Sequence, residues 1–198
     1  MESLIRKSAT AIVVVVVFLT SVSTALAASY NRELSRATKR DRLYTSQTFD
    51  AKLIWSATLF TDAYRRARAQ KDIEVRHMGP VEAARWVAEQ EKQQNSTLEF
   101  FVALYARDDS KELSMNPTSF WEIVLTTSNG EKIHPTSINM IPGSPYEHVV
   151  YPFLDRWSKG YRVTFPKVDL GSRPKLTLQS VIGSSALSWR IHSSSGNR

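Results

Sequence analysis

The hydrophobic period of this chain changes at Asn95, and that change limits the folds open to it. Before it, apolar residues recur at steps of three and four, the spacing of one helix face; after it they alternate, as in a strand. Phe49, Leu53, Ala57, Phe60, Tyr64 and Ala67 predict a long amphipathic helix from about Thr48 to Asp72, with Thr48 or Asp50 as its cap. A second helix is expected to open at Gly79-Pro80, because the fixed φ and missing N–H of proline suit the first helical position. Its apolar positions are Val81, Ala84, Val87 and Ala88, and it ends near Asn95.

Beyond Asn95, Leu98, Phe100, Val102 and Leu104 alternate with Glu99, Phe101, Ala103 and Tyr105, which reads as a strand covered on both faces. Phe120 to Thr127 is a second strand, leading into Asn129-Gly130, a pair that supplies the positive φ angles of a tight hairpin turn. The return strand, Lys132 to Ile138, contains Pro135 and is therefore expected at a sheet edge, since proline donates nothing to a ladder. Asn139 to Pro152 reads as a turn-rich loop. Tyr161, Val163 and Phe165 form another strand, and Leu176 to Ile182 pairs with Ala186 to Ile191 around a turn at Gly183-Ser184-Ser185. Burying the aromatics of six or seven short strands calls for two sheets face to face. The expected fold class is α+β: an N-terminal helical segment followed by an antiparallel β-sandwich.

Cysteine is absent, so disulfides, zinc–thiolate sites and cysteine nucleophiles are excluded and packing alone must hold the fold. Residues 1–27 have the order of a secretory signal peptide: Arg6 and Lys7, an apolar run from Ala11 to Leu19, then Ala25-Leu26-Ala27 as the cleavage site before Ala28. The competing reading is an uncleaved membrane anchor, because Ser8 to Tyr30 carries no charge. The rest divides into a basic linker at 28–45, a helical region at 46–95, the sandwich at 96–192 and a frayed tail at 193–198. The expected location is periplasmic or envelope-associated.

No motif assigns chemistry. His77, His134, His148 and His192 lack metal-ligand spacing, no nucleophile elbow or phosphate-binding glycine loop is present, and neither a catalytic residue nor a cofactor is implied. A hydrolase remains the rival reading, and would require His148, Asp155 and a serine to come within hydrogen-bond reach. The charge pattern says more. Arg32, Arg36, Lys39, Arg40 and Arg42 crowd the linker, and Arg65, Arg66, Arg68 and Lys71 follow on the first helix, where the plain reading is complementation of its dipole. A second patch, Arg156, Trp157, Lys159 and Arg162, sets an aromatic face among basic groups, with Tyr161 expected in the core and Trp157 in a polar turn. For an exported chain nucleic acid is excluded, and the expected partners are another envelope protein or an anionic envelope lipid or glycan.

Three segments carry a resemblance: Phe120-Trp121-Glu122-Ile123-Val124-Leu125 before Asn129-Gly130, Tyr161-Arg162-Val163-Thr164-Phe165-Pro166, and Leu176-Thr177-Leu178 before Gly183 and Trp189. In these the C-terminal half resembles the immunoglobulin-like sandwich domains of uncharacterised exported bacterial proteins. The resemblance implies an immunoglobulin-like β-sandwich serving as a binding or assembly module without catalytic activity. It departs from that family in having no lipidation cysteine and in carrying a helical N-terminal half.

Overall fold

The computed structural model of the protein describes residues 29–44, 51–106, 113–116, 119–181 and 183–191. The signal-peptide and cleavage readings at 1–28, the tail at 193–198 and His192 lie outside the described residues. The described chain is α+β, with two antiparallel sheets and four helices. Residues 29–37 form helix α1. Strands β1 (Thr38–Tyr44) and β2 (Ala51–Leu59), helices α2 (Asp62–Val75) and α3 (Pro80–Ser96), and strands β3 (Thr97–Ala106), β4 (Glu122–Thr126), β5 (Lys132–Ile133) and β6 (Ser137–Ile141) follow. Helix α4 (Pro145–Val150) and strands β7 (Lys159–Pro166), β8 (Lys175–Ser180) and β9 (Gly183–Ser188) complete the order. One sheet runs β1-β2-β3-β7-β6 and the other β5-β4-β8-β9.

Alternation sets the two faces of the five-stranded sheet. Leu53, Trp55, Ala57 and Leu59 of β2 share a face with Leu98, Phe100, Val102 and Leu104 of β3, and the register carries that face on to Tyr161, Val163 and Phe165 of β7. These side chains meet Trp121, Ile123, Leu125, Leu176, Leu178, Leu187 and Trp189 from the other sheet in one apolar core. Phe100 lies edge-on to Phe165 and Trp189, at 5.7 and 5.4 Å between ring centroids. The open edge is tied by polar bonds: Trp55 Nε1 donates to Ser185 Oγ (2.7 Å), which donates to Asp41 Oδ2 (2.5 Å), and Trp189 Nε1 donates to the Ala37 carbonyl (2.6 Å).

The opposite face of the same sheet is covered by helices. Tyr30, Leu34 and Ala37 of α1, Tyr64 of α2 and Val150 of α4 form a second core with Phe101 and Ala103 of β3, Tyr151 and Leu154. Phe101 stacks flat on Tyr151 (3.5 Å) and lies so close to Gly160 that a Cβ there would meet the Phe101 ring at 3.2 Å. A side chain at position 160 would require the ring to yield by a few tenths of an ångström where it is stacked on Tyr151.

Several sequence expectations need correction. The helix expected from Thr48 to Asp72 is strand β2 followed by helix α2, which Thr61 caps through its side chain. The basic segment 28–45 is not a linker in its described part, because 29–37 are helical and Thr38–Tyr44 form an edge strand paired with β2. The sheet thus takes two strands from outside the segment 96–192. Pro135 does not sit within a return strand. It separates β5, at the edge of one sheet, from β6, at the edge of the other, so both short strands avoid the missing N–H. The expected loop at 139–152 holds the end of β6 and helix α4. The turn placed at Gly183-Ser184-Ser185 lies just before it, because Gly183 (φ 139) already pairs with Ser180 in the ladder. Helix α3 opens with Gly79 as cap and Pro80 in its first turn, but its apolar residues do not face the core: Val81 is 78% exposed, and no residue of α3 is buried. Helix α2 stops where His77 takes a left-handed conformation (φ 52) and the Met78 N–H reaches back to the Ile73 carbonyl, which satisfies one orphan acceptor.

Candidate functional site

Helix α2 meets the sheet with charge where apolar contact would be usual. Arg65 is buried and pairs with Glu99 on the outer face of β3, Nη2 to Oε2 at 2.7 Å, while its guanidinium lies 5.1 Å from the Phe60 ring centre. One turn on, Arg68 Nε donates to Asp72 Oδ1 at 2.7 Å and Nη2 to the Tyr146 hydroxyl at 3.1 Å, and the Tyr146 hydroxyl donates in turn to Asp72. The sequence placed Arg65 and Arg68 with Arg66 and Lys71 as one basic group complementing the helix dipole. The structure splits that group, turning Arg65, Arg68 and Asp72 inward with Tyr64. An arginine on a core-facing helical position, with a carboxylate four residues further on, was the signal that could have found this pair.

The desolvated charges shape the titration of their neighbours. Burial works against the Arg68 cation, but the oxygens of Tyr151, Tyr64, Asp72 and Tyr146 outweigh it and hold its pKa well above the ordinary arginine value. Burial pushes Tyr30 up to about 12, and it raises Tyr64, Tyr146 and the fully buried Tyr151 as well. Tyr30 also donates its hydroxyl hydrogen to the Val150 carbonyl, joining α1 to the end of α4. A recess of about 320 Å³ opens beside this network, bounded by α2, α3, the α4 region and the outer face of the sheet. Trp86, Gln90 and Gln93 line it from α3, and Arg162 of β7 lines it from the sheet.

A second recess, about 550 Å³, lies towards the β1 edge of the same outer face. Pairing of Arg40 with Ser56 and Arg42 with Ile54 puts both arginines on the side away from the apolar core, and both line this recess with Tyr44, Phe153, Asp155 and Ser158. Arg40 lies 4.9 Å from the Phe153 ring centre, and Arg42 donates weakly to the Tyr44 hydroxyl at 3.5 Å. Arg156 and Trp157 sit on its rim between Asp155 and Ser158, with the guanidinium 4.6 Å from the indole centre and the indole 65% exposed.

The residues singled out from sequence are therefore only partly brought together. Arg40 and Arg42 meet the segment carrying Arg156 and Trp157. Arg32 and Arg36 stay on the exposed side of α1, both paired with Glu33. Lys39 falls on the opposite side of β1 from Arg40, and Lys159 is half-buried where β7 begins. Arg162 leaves the second patch altogether, because Tyr161 next to it enters the apolar core and alternation sends Arg162 to the outer face, into the smaller recess.

The histidines serve local geometry. His77 makes the left-handed turn after α2, His134 lies 3.6 Å from Glu122, and His148 Nδ1 hydrogen-bonds the Leu154 carbonyl (2.9 Å). Asp155 accepts from the Trp157 N–H, so the side chains a triad would recruit here hold a turn. Among the described residues no three His, Asp or Glu side chains converge on a common point for a metal, and no helix is long and apolar enough to cross a membrane. No family model matches this chain, and neither does any curated protein or solved structure.

Proposed function

We propose that this protein is an exported, non-catalytic binding and assembly module of the cell envelope, built on an immunoglobulin-like sandwich, that attaches to acidic lipid head groups through the β1 edge of its helix-covered face. The observation that carries this reading is the recess at that edge. Arg40, Arg42 and Arg156 stand exposed there beside Tyr44, Phe153 and Trp157, with no carboxylate within ion-pair distance among the described residues. Guanidinium groups without acid partners suit an anionic surface, and an exposed indole suits the interfacial layer of a bilayer. The basic excess supports the same partner: beyond residue 28 the chain has 24 basic and 18 acidic residues. Two sheets meeting across one apolar core, with short strands and a hairpin turn at Gly130, are compatible with the immunoglobulin-like class.

Export is tested by N-terminal sequencing of the protein recovered from its host, where a start at Ala28 is expected. Attachment is tested by sedimentation with anionic and neutral vesicles. Because residues 29–44 are a helix and a strand of the sheet, the informative variants neutralise charge and leave this segment in place: Arg40→Gln, Arg42→Gln and Arg156→Gln. Binding confined to anionic vesicles, weakened by each substitution by about 1 kcal/mol at most and lost at high salt, is expected. Equal sedimentation with neutral vesicles overturns the reading. Binding to acidic glycan with none to vesicles moves the partner from lipid to polysaccharide.

A further inference from the structure

The smaller recess carries an inference independent of the β1 edge. Its donors outnumber its acceptors. Arg68 is more than nine-tenths buried and lines the recess, yet its Nη1 has no protein acceptor among the described residues, and the same holds for the buried Nε1 of Trp86. Arg76 and Arg162 line it without an ion-pair partner among the described residues. The three acids there are already engaged: Asp72 by Arg68 and Tyr146, Glu99 by Arg65, and Glu147 by the Ser144 hydroxyl. A buried N–H without an acceptor costs free energy that a fold keeps only where something supplies the acceptor.

Helix α3 points the same way. It turns Trp86, Gln90 and Gln93, one stripe at steps of four and three, into the recess and leaves Val81 in solvent. A helix serving only to cover the sheet would do the reverse. Apart from Asn139 the remaining lining is largely apolar, with Phe60, Ile141 and Tyr146 among it. The half-buried Tyr146 forms one wall, with the buried Tyr151 behind it, and Arg76 lies across the two rings at the opening, its guanidinium 4.6 Å from the Tyr146 ring centre and 5.1 Å from that of Trp86. The volume falls at the small end of the roughly 300–1,000 Å³ usual for small-molecule sites.

We infer that this recess binds a small molecule that carries an oxyanion on a flat ring. The oxyanion, a carboxylate or a phosphate ester, accepts from Arg68 Nη1 and Trp86 Nε1 and is balanced by Arg76 and Arg162. The ring lies against the half-buried Tyr146. Arginine forks suit both anions, and the aromatic walls exclude a fully solvated inorganic ion as the preferred occupant.

The test is calorimetric titration of the purified protein with benzoate, phenyl phosphate, inorganic phosphate and benzyl alcohol. Saturable binding of benzoate or phenyl phosphate is expected, with inorganic phosphate and neutral benzyl alcohol each at least about tenfold weaker. Arg68→Lys probes the buried donor, and because that side chain also holds α2 in place, the exposed Arg76→Gln and Arg162→Gln and the ring-preserving Trp86→Phe test the site without that risk. Each should weaken the anion by about tenfold while Arg42→Gln leaves it unchanged. Absence of binding by both aromatic anions, or binding that these four variants do not alter, overturns the inference. Vesicle attachment through Arg40 and Arg42 stands or falls separately.

Discussion

The inner face of the five-stranded sheet meets its partner sheet through Trp55, Phe100, Val163 and Phe165, whereas the outer face meets the helices through Arg65 with Glu99, Arg68 with Asp72, and buried tyrosine hydroxyls. The two faces belong to the same strands and differ only by alternation. Apolar contact is non-directional, so the inner face gains from every side chain that fits. Buried ion pairs and hydrogen bonds stabilise little in sum, because desolvation offsets them, but they tolerate few alternative geometries. The difference teaches that the inner face holds the fold and the outer face fixes how its helices sit, and with them the shape of both recesses.

Four experiments can break or sharpen that contrast. The largest effect should come from Trp121→Ala, which empties a fully buried site between the sheets. Urea denaturation should show a loss at the upper end of about 3–5 kcal/mol, and a neutral result would mean that the inner face does not dominate.

Next comes Glu99→Leu. It strands Arg65 without its partner and should cost about 3 kcal/mol, the lower end for a broken buried pair, because the Phe60 ring still faces the guanidinium. Adding Arg65→Met should restore most of that stability. If the double variant is as unstable as the single, α2 depends on charge itself and the contrast is deeper than packing.

Alkaline titration comes third. Tyr30, Tyr64, Tyr146 and Tyr151 all have raised pKa values in the fold, so each stays protonated there at a pH where the unfolded chain has already released its proton. The unfolded state then binds fewer protons, and stability must fall as pH climbs above about 10. Tyr30, raised to about 12, accounts for roughly 2–3 kcal/mol of that loss. A melting temperature flat between pH 10 and 12, with no delayed tyrosinate absorbance, would remove the buried hydroxyls from the account. Last, Trp157→Ala should change stability by about 0.5 kcal/mol or less, since its ring is largely in solvent.

Much of the inner face could be read from the sequence and little of the outer one. Strand β3 shows its alternation openly, and Asn129-Gly130 marks the turn after β4, where Gly130 takes a positive φ (86) and Asn129, against expectation, does not. Strand β2 hid because Leu53 and Ala57 are four apart, a step that fits both a helix face and every second residue of a strand. Trp55 and Leu59 decide for the strand, while Phe60, Tyr64 and Ala67 extend the helical spacing into what is in fact the next element. In α1, Tyr30, Leu34 and Ala37 have the steps of an amphipathic helix, but three apolar residues among so many charges read as a linker. The arginines of α2 were visible as basic residues and the step of four from Arg68 to Asp72 marked one pair, but the burial of Arg65 was not legible, because nothing in its spacing reveals that Glu99 lies opposite once β3 crosses beneath. Trp86 and the two glutamines of α3 gave no signal at all, since a polar stripe looks the same whether it faces water or a ligand.

The bonds that tie the sandwich edge join residues very far apart in the chain. Trp55 to Ser185, Asp41 to Ser185 and Ala37 to Trp189 span 130, 144 and 152 positions. The first strand of one sheet therefore cannot be locked to the last strand of the other until Ser185 and Trp189 have been made, and closing such long loops before any contact rewards it makes folding slow. The chain stays open at its edge for as long as β9 and Trp189 are missing, so this edge is the last part of the sandwich to close.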